Sequence, residues 1–361
     1  MKRKYMVTGL GVAILSVGMI GGVLSGVNAI PTLVNKKQVI DNKYNEKEVI
    51  FNEVHDVSQL NINLQKSDVV LRKHDSDKIL IERTGAKDIT NLRCEKGDGI
   101  LTLSEDYKDA PEKEIKSIDD IVKSVVDDAF SSHISEVTIY LPKEVNVNVS
   151  EDSGYLRVDD DVILDSLTYK TNVGSIQLNE YVEFENLNVT SVNGVSISGS
   201  EMLGIKNVKL EGRSIYVHSS EYELSTEELL AKIPDVLEIK CSSPYGYEGV
   251  TIETNMPVAK NVNIQTTSTV DVNLPLLEYK FNFDIKTNKG INFSHMQNDE
   301  RYYNTSLEKL FNSNNSEFNY DSELQTEEGF EKEYKGVLNE DLKDEQTEYT
   351  FNIKASDVMF R

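Results

Sequence analysis

Residues 153–198 read SGYLRVDDDVILDSLTYKTNVGSIQLNEYVEFENLNVTSVNGVSIS. Apolar residues here come in pairs around one polar residue: Leu156/Val158, Ile176/Leu178 and Val195/Ile197, and between them Leu167/Tyr169 and Leu187/Val189. Alternation with period two gives a strand one dry face and one wet face. Ser153-Gly154, Val173-Gly174 and Asn193-Gly194 stand before the first set, where the chain must bend. Further along, the first set continues with Ile215/Val217, Val250/Ile252 and Val270/Val272, its first members stepping by 20, 19, 20, 35 and 20 residues. The second set continues with Val208/Leu210, Leu237/Ile239, Val262/Ile264 and Phe283/Ile285. A unit of roughly 20 residues with two strands cannot bury its own apolar face, whereas stacked copies bury it in a continuous column. The expected fold is mainly β: a single-domain parallel β-solenoid of two-strand coils, of about 20 residues each, with short helical insertions. A β-sandwich also has many short strands but seldom holds so regular a repeat of strand pairs.

Before this stretch, Leu60/Ile62/Leu64, Val69/Leu71 and Ile79/Ile81 alternate too, and Leu92/Cys94 and Leu101/Leu103 flank Gly97-Asp98-Gly99, a hairpin-like turn. Their spacing is shorter and irregular, as expected of a region that caps or starts the array. The solenoid domain is expected over 47–361, with insertions at about 105–135, 218–236 and 294–350. In the first, Ser117 can cap a helix whose apolar stripe is Ile118, Ile121, Val122, Val125, Val126 and Ala129. In the second, Ser225 and Glu228 form a capping box before Leu229, Leu230 and Ile233, which accounts for the 35-residue step.

Residues 1–34 open with Met1-Lys2-Arg3-Lys4 and continue as an uncharged run. The run exceeds the roughly 20 residues that span a bilayer, and the leading cations favour a cytoplasmic N-terminus, so a single-pass anchor with the C-terminal domain outside the cytoplasm is expected. Val27-Asn28-Ala29 also resembles a signal-peptidase site, and cleavage after Ala29 would give a secreted form. Gly18, Gly22 and Gly26 would share one helical face and could seat a second membrane helix, a route to self-association. Residues 35–46 read as a linker. The formal net charge of −23 excludes nucleic acid as a partner and suits a solvated extracellular surface that keeps a long solenoid soluble, attraction of cations or cationic peptides being the alternative. Cys94 and Cys241 continue apolar alternations and are expected in the core, a disulfide between them being left open.

The third insertion is the candidate binding segment. Between Gln297 and Phe351 it holds 15 acidic and 5 basic residues, together with Tyr302, Tyr303, Phe311, Phe318, Tyr320, Phe330 and Tyr334. Aromatic residues among charges are the usual anchors of interfaces, and segments that leave a rigid scaffold are where binding surfaces concentrate. Packing of these rings onto the solenoid is the plainer alternative. Tyr349/Phe351/Ile353 and Val358/Phe360 resume the strand pattern after it.

Catalytic patterns are absent from the sequence. The histidines, His55, His74, His133, His218 and His295, lack metal-ligand spacing. Gly194-Val195-Ser196-Ile197-Ser198 starts like a nucleophile elbow but ends in Ser where Gly is needed. Asp152, Asp159, Asp160, Asp161 and Asp165 lack the ligand order of a calcium loop and read as a solvated turn. No catalytic residue, metal or cofactor is expected.

The alternation Leu60-Asn61-Ile62-Asn63-Leu64, the phrase Val137-Thr138-Ile139-Tyr140-Leu141-Pro142, the set Val145/Val147/Val149 and the Gly-turn strands from Asp152 to Val217 resemble a bacterial putative-adhesin family of unknown function, built from degenerate β-strand repeats. The resemblance covers roughly residues 50 to 290, with an echo at 350 to 360. It implies a membrane-tethered extracytoplasmic β-solenoid without known catalytic residues, sometimes linked to envelope stress. The expected function is therefore non-enzymatic binding or scaffolding in the cell envelope, with an envelope protein, a glycan or a cationic peptide as partner. A polysaccharide-active enzyme with a groove along the solenoid, and a structural spacer without a ligand, are the rival expectations.

Overall fold

A computed structural model describes residues 46–54, 56–85, 90–107, 135–142, 144–179, 182–219, 225–242, 249–276, 278–292, 332–338 and 348–361. The repeating part consists of long strands, each followed by a corner and a short strand. In chain order these are β8 (Asn146–Glu151) and β9 (Tyr155–Val158), β10 (Ser166–Thr171) and β11 (Ser175–Leu178), β12 (Phe184–Ser191) and β13 (Val195–Ser198), and β14 (Ile205–Gly212) and β15 (Ile215–His218). They continue with β16 (Val236–Cys241) and β17 (Val250–Glu253), β18 (Asn261–Thr266) and β19 (Thr269–Asn273), and β20 (Lys280–Thr287) and β21 (Ile291–Asn292). Neighbouring long strands pair in parallel and in register, as in Leu167↔Leu187 and Tyr169↔Val189. The alternation thus becomes two inward columns that close a dry core, in which Leu60, Leu167, Leu187, Val217, Ile252 and Phe283 are fully buried. Each such side chain contributes roughly 1.5–3 kcal/mol on burial. The β-solenoid expectation holds.

The N-terminal region is built from β1 (Lys47–Val54), β2 (Gln59–Leu64), β3 (Asp68–Lys73), β4 (Lys78–Thr84), β5 (Thr90–Gly97), β6 (Ile100–Tyr107) and β7 (Glu136–Leu141). Strands β2 and β3 form a coil that pairs with β8 and β9 on one side and with β6 and β7 on the other. Three antiparallel strands then close this end: β5 on β6, β4 on β7 and β1 on β4. The expected hairpin is present, its turn residues Asp98 and Gly99 both taking positive φ, 51° and 74°. A capped end removes a template for edge-to-edge pairing, and the bulge at Val49/Phe51 blunts what remains.

The other end is filled out of chain order. After β21 the chain returns as β22 (Lys332–Leu338), antiparallel on the outer side of β20. Then β23 (Glu348–Ala355) and β24 (Asp357–Phe360) occupy the slot between β18–β19 and β20–β21, paired in parallel on both sides. The expected last coil therefore exists, as the penultimate layer. Insertion 294–350 is correspondingly not a bare excursion, since it contains β22 and the start of β23. A cluster of rings fills this end: Phe281, Phe283, Phe351 and Phe360 lie with centroids 5.5–5.8 Å apart in successive contacts.

The long strands form one twelve-stranded sheet, β22-β20-β23-β18-β16-β14-β12-β10-β8-β2-β6-β5. The short strands do not form a matching sheet. They split into β1-β4-β7-β3-β9-β11 and β13-β15-β17-β19-β24-β21. The break lies between β11 and β13, where the sequence makes its single 19-residue step from Ile176 to Val195. A 3₁₀ turn, Ser200–Met202, folds back there, and the Glu201 carboxylate accepts the N–H of Leu178 (3.1 Å) on one side and of Ser198 (2.7 Å) on the other. A side chain stands in for the missing ladder.

Among the described residues there is one α-helix, α1 (Thr226–Lys232), with the expected capping box: Ser225 N–H donates to Glu228 Oε2 (3.0 Å), and the Glu228 N–H donates to Ser225 Oγ (3.5 Å). It docks through Leu229 and Ile233 and accounts for the 35-residue step. The expected helix at 117–129 lies outside the described residues. Cys241 is buried and its Sγ donates to the Arg213 carbonyl, while Cys94 is half-buried on β5; neither is in a disulfide, and they lie seven strands apart in the long sheet. The disulfide left open by the sequence does not form.

Candidate functional site

Four of the long strands end in an inward hydroxyl residue that caps the corner after it. Thr171 Oγ1 accepts the N–H of Gly174 (2.6 Å), Ser191 Oγ that of Gly194 (3.2 Å), Thr266 Oγ1 that of Ser268 (3.0 Å) and Thr287 Oγ1 that of Gly290 (3.3 Å). Small hydroxyl residues suit this slot because they satisfy a turn amide without filling the corner. At the N-terminal end the slot turns acidic. Glu105 Oε2 accepts three successive backbone N–H groups, of Gln65 (2.8 Å), Lys66 (3.0 Å) and Ser67 (3.3 Å), and the Ser67 hydroxyl donates to its other oxygen.

Glu151 fills the same slot one coil beyond β2. Its Oε1 accepts the Tyr169 hydroxyl, while Oε2 is buried without a hydrogen-bond partner. Burial pushes this carboxyl up to about 7, the Tyr169 bond opposing the shift and the nearby Asp68 and Glu105 carboxylates adding to it. Burial raises Asp68 as well, and it pushes the Tyr169 phenol far above its usual range. Glu151 is 4 % exposed and Tyr169 1 %, with Asp68 half-buried at the edge of the cluster.

Chemistry accessible to a partner lies on the outer faces. The long sheet presents ladders of amides and hydroxyls bonded to one another: Asn148 Nδ2 donates to Asn61 Oδ1 (3.1 Å), Ser166 Oγ to Asn146 Oδ1 (2.6 Å), Asn207 Nδ2 to Asn186 Oδ1 (3.1 Å) and Asn352 Nδ2 to Asn263 Oδ1 (2.8 Å). The short strands carry a different group. Tyr216 is 40 % exposed, its hydroxyl donates to Glu253 Oε2 (3.2 Å), and its ring lies 5.2 Å from that of His218. Ser196 and Thr251 flank it in register, and two strands on Asp271 pairs with Arg361. Nearer the N-terminus Asp159 is held by Arg72 (2.7 Å) and Arg157 (2.8 Å), which accounts for one member of the acidic cluster weighed for calcium.

Of the sequence-selected aromatic set, Tyr302, Tyr303, Phe311, Phe318, Tyr320 and Phe330 lie outside the described residues. Tyr334 sits on β22 opposite Ile285, partly buried and packed against the core. Gly18, Gly22 and Gly26, with the whole segment 1–34, also lie outside. Among the described residues no helix is long and apolar enough to cross a membrane, and no group of three His, Cys, Asp or Glu side chains could hold a metal ion. His74 and His218 are far apart, Nδ1 of the first meeting Ser76 and that of the second the Ser219 carbonyl.

No curated protein matches the chain. Among solved structures, a putative cell adhesion protein from Clostridium sporogenes shares 12 % identity over 88 % of this chain and 99 % of its own, with a TM-score of 0.27. A putative adhesin from Bacteroides fragilis shares 10 % over 87 % and 96 %, at 0.39. A putative adhesin from Parabacteroides distasonis shares 11 % over 64 % and 92 %, at 0.35. The family described as Toastrack DUF4097 matches residues 57–329, most of the array from β2 onward, and the chain belongs to that family.

Proposed function

We propose that the protein is a non-enzymatic binding or scaffold protein displayed outside the cytoplasm, tethered by residues 1–34. The observation that carries this reading is the filling of the array: aliphatic and aromatic side chains occupy its interior from β2 to β24, so recognition is left to the outer faces and to the segment between β21 and β22. That segment holds six of the seven aromatic residues selected as anchors and much of the net negative charge, which favours a partner with a cationic surface in the envelope.

The test is crosslinking on intact cells, comparing the full chain with a variant in which residues 295–329 are replaced by a short Gly/Ser linker. This replacement leaves β22 and β23 in place, which a deletion reaching residue 348 would not. Loss of the captured envelope proteins with an unchanged β circular dichroism spectrum is expected. Undiminished capture would move the binding surface to the solenoid faces.

A further inference from the structure

The break between β11 and β13 is more than an irregularity, because four independent features meet there. The twelve-stranded sheet runs through this level without interruption, with β10 and β12 paired over Ser166–Thr171, while the opposite wall has no strand pairing. The N–H groups that Leu178 and Ser198 turn toward each other both end on one carboxylate, that of Glu201. The three most exposed apolar members of the core, Leu203 at 9 %, Ile176 at 7 % and Val195 at 6 %, all border the break. The corners on its two sides expose Val173 and Val192 at 66 % and 57 %, the highest values among the exposed large apolar residues. Wall, ladder, core and corner are thus all thinnest at one level of the array.

We infer that this level is a hinge: the short-strand wall opens and closes between β11 and β13, the twelve-stranded sheet acts as the strap, and Glu201 is the latch. Stacked coils elsewhere separate only by breaking a ladder of backbone bonds on both walls. Here no backbone ladder crosses one wall and its hydrogen bonds across the gap come from a single side chain, so the N-terminal and C-terminal parts of the array tilt relative to each other at the cost of the two bonds to Glu201 and of part of the apolar packing among Ile176, Leu178, Val195 and Ile197. Shear and hinge motions concentrate where few bonds cross between rigid bodies, and local opening follows low contact density. The hinge requires no ligand and no change in the long sheet, and it is independent of the partner proposed above.

Two measurements on the full chain test it. In hydrogen exchange, the Leu178 and Ser198 amides are expected to exchange at least tenfold faster than those of Ile215 and Val217, and Glu201→Ala is expected to speed them at least a further tenfold while leaving Leu187 and Val189 unchanged. In a Cys94→Ser, Cys241→Ala background, spin labels at Tyr155→Cys and Tyr216→Cys span the break. Labels at Ser150→Cys and Glu211→Cys span the same coils on the long sheet. A broad or two-peaked distance distribution for the first pair and a narrow one for the second is expected. Equally narrow distributions, with Leu178 and Ser198 amides that exchange only on global unfolding, would overturn the hinge even if Glu201→Ala fails to fold.

Discussion

Glu151 occupies the inward slot that Thr171 and Ser191 fill in the next two coils, and it shows what a long acid costs there. Its carboxyl titrates near 7 in the folded chain against 4.5 when unfolded. Neutral Glu151 is the form that the corner tolerates, so this contribution to stability is complete below about pH 4.5, declines as pH rises toward 7, and is gone above it; the difference is about 3 kcal/mol. Urea midpoints should therefore fall from pH 5 to pH 8 in the wild type, Asp68 acting in the same direction, and Glu151→Gln should flatten most of that fall. Gly174 tests the tightness of the same corner. A Cβ there would meet Tyr169 Oη, Thr171 Oγ1 and Glu151 Oε1 at less than 3 Å, so Gly174→Ala should lower stability by about 2 kcal/mol in thermal melts. The corner was half legible: glycines 154, 174 and 194 stood out, but the residue three before each, Glu151, Thr171 and Ser191, did not, although the spacing was available. A polar residue that ends an apolar alternation looks like a strand that has surfaced, and only its burial in the fold reveals that it points inward.

Among the elements, β23 is held by its rings. Phe351 is fully buried between Phe281 and Phe283, and Phe351→Ala should cost about 3–5 kcal/mol, read as a drop in urea midpoint without loss of β signal in the long sheet. Strand positions themselves were plain in the sequence, because each pair such as Val262/Ile264 or Phe351/Ile353 carries its own period-two mark. The order of the strands was not. Every coil presents the same alternation to its neighbours, so β23 fits beside β18 as well as β20 does, and the choice rests on connections and on ring packing that a pattern of apolar residues cannot express. The break between β11 and β13 left one trace, the 19-residue step, whose meaning depended on Glu201, a charged residue outside any strand.

At the scale of the whole molecule, a repeat array is usually trimmed from its end, one coil at a time. This one should not be. Removing residues 348–361 empties an interior layer and unpairs β18–β19 on one side and β20–β21 on the other. Limited proteolysis of that truncation should cut from about residue 274 onward while leaving β8 to β16 protected; protection of β20 in the truncated chain would contradict the observed strand order. The segment proposed to meet a partner lies between β21 and β22, which belong to this same end of the array.

The out-of-order layer also bears on how the protein is made. A chain delivered to its compartment N-terminus first folds most of this solenoid as it emerges, each coil settling on the one before it. Strands β20 and β21 emerge before their native inner neighbours, β23 and β24, which come only after β22 has emerged. For that interval the nascent protein presents two open parallel edges and a set of bare phenylalanines. That is the window in which a chaperone would engage it or a second nascent chain would trap it.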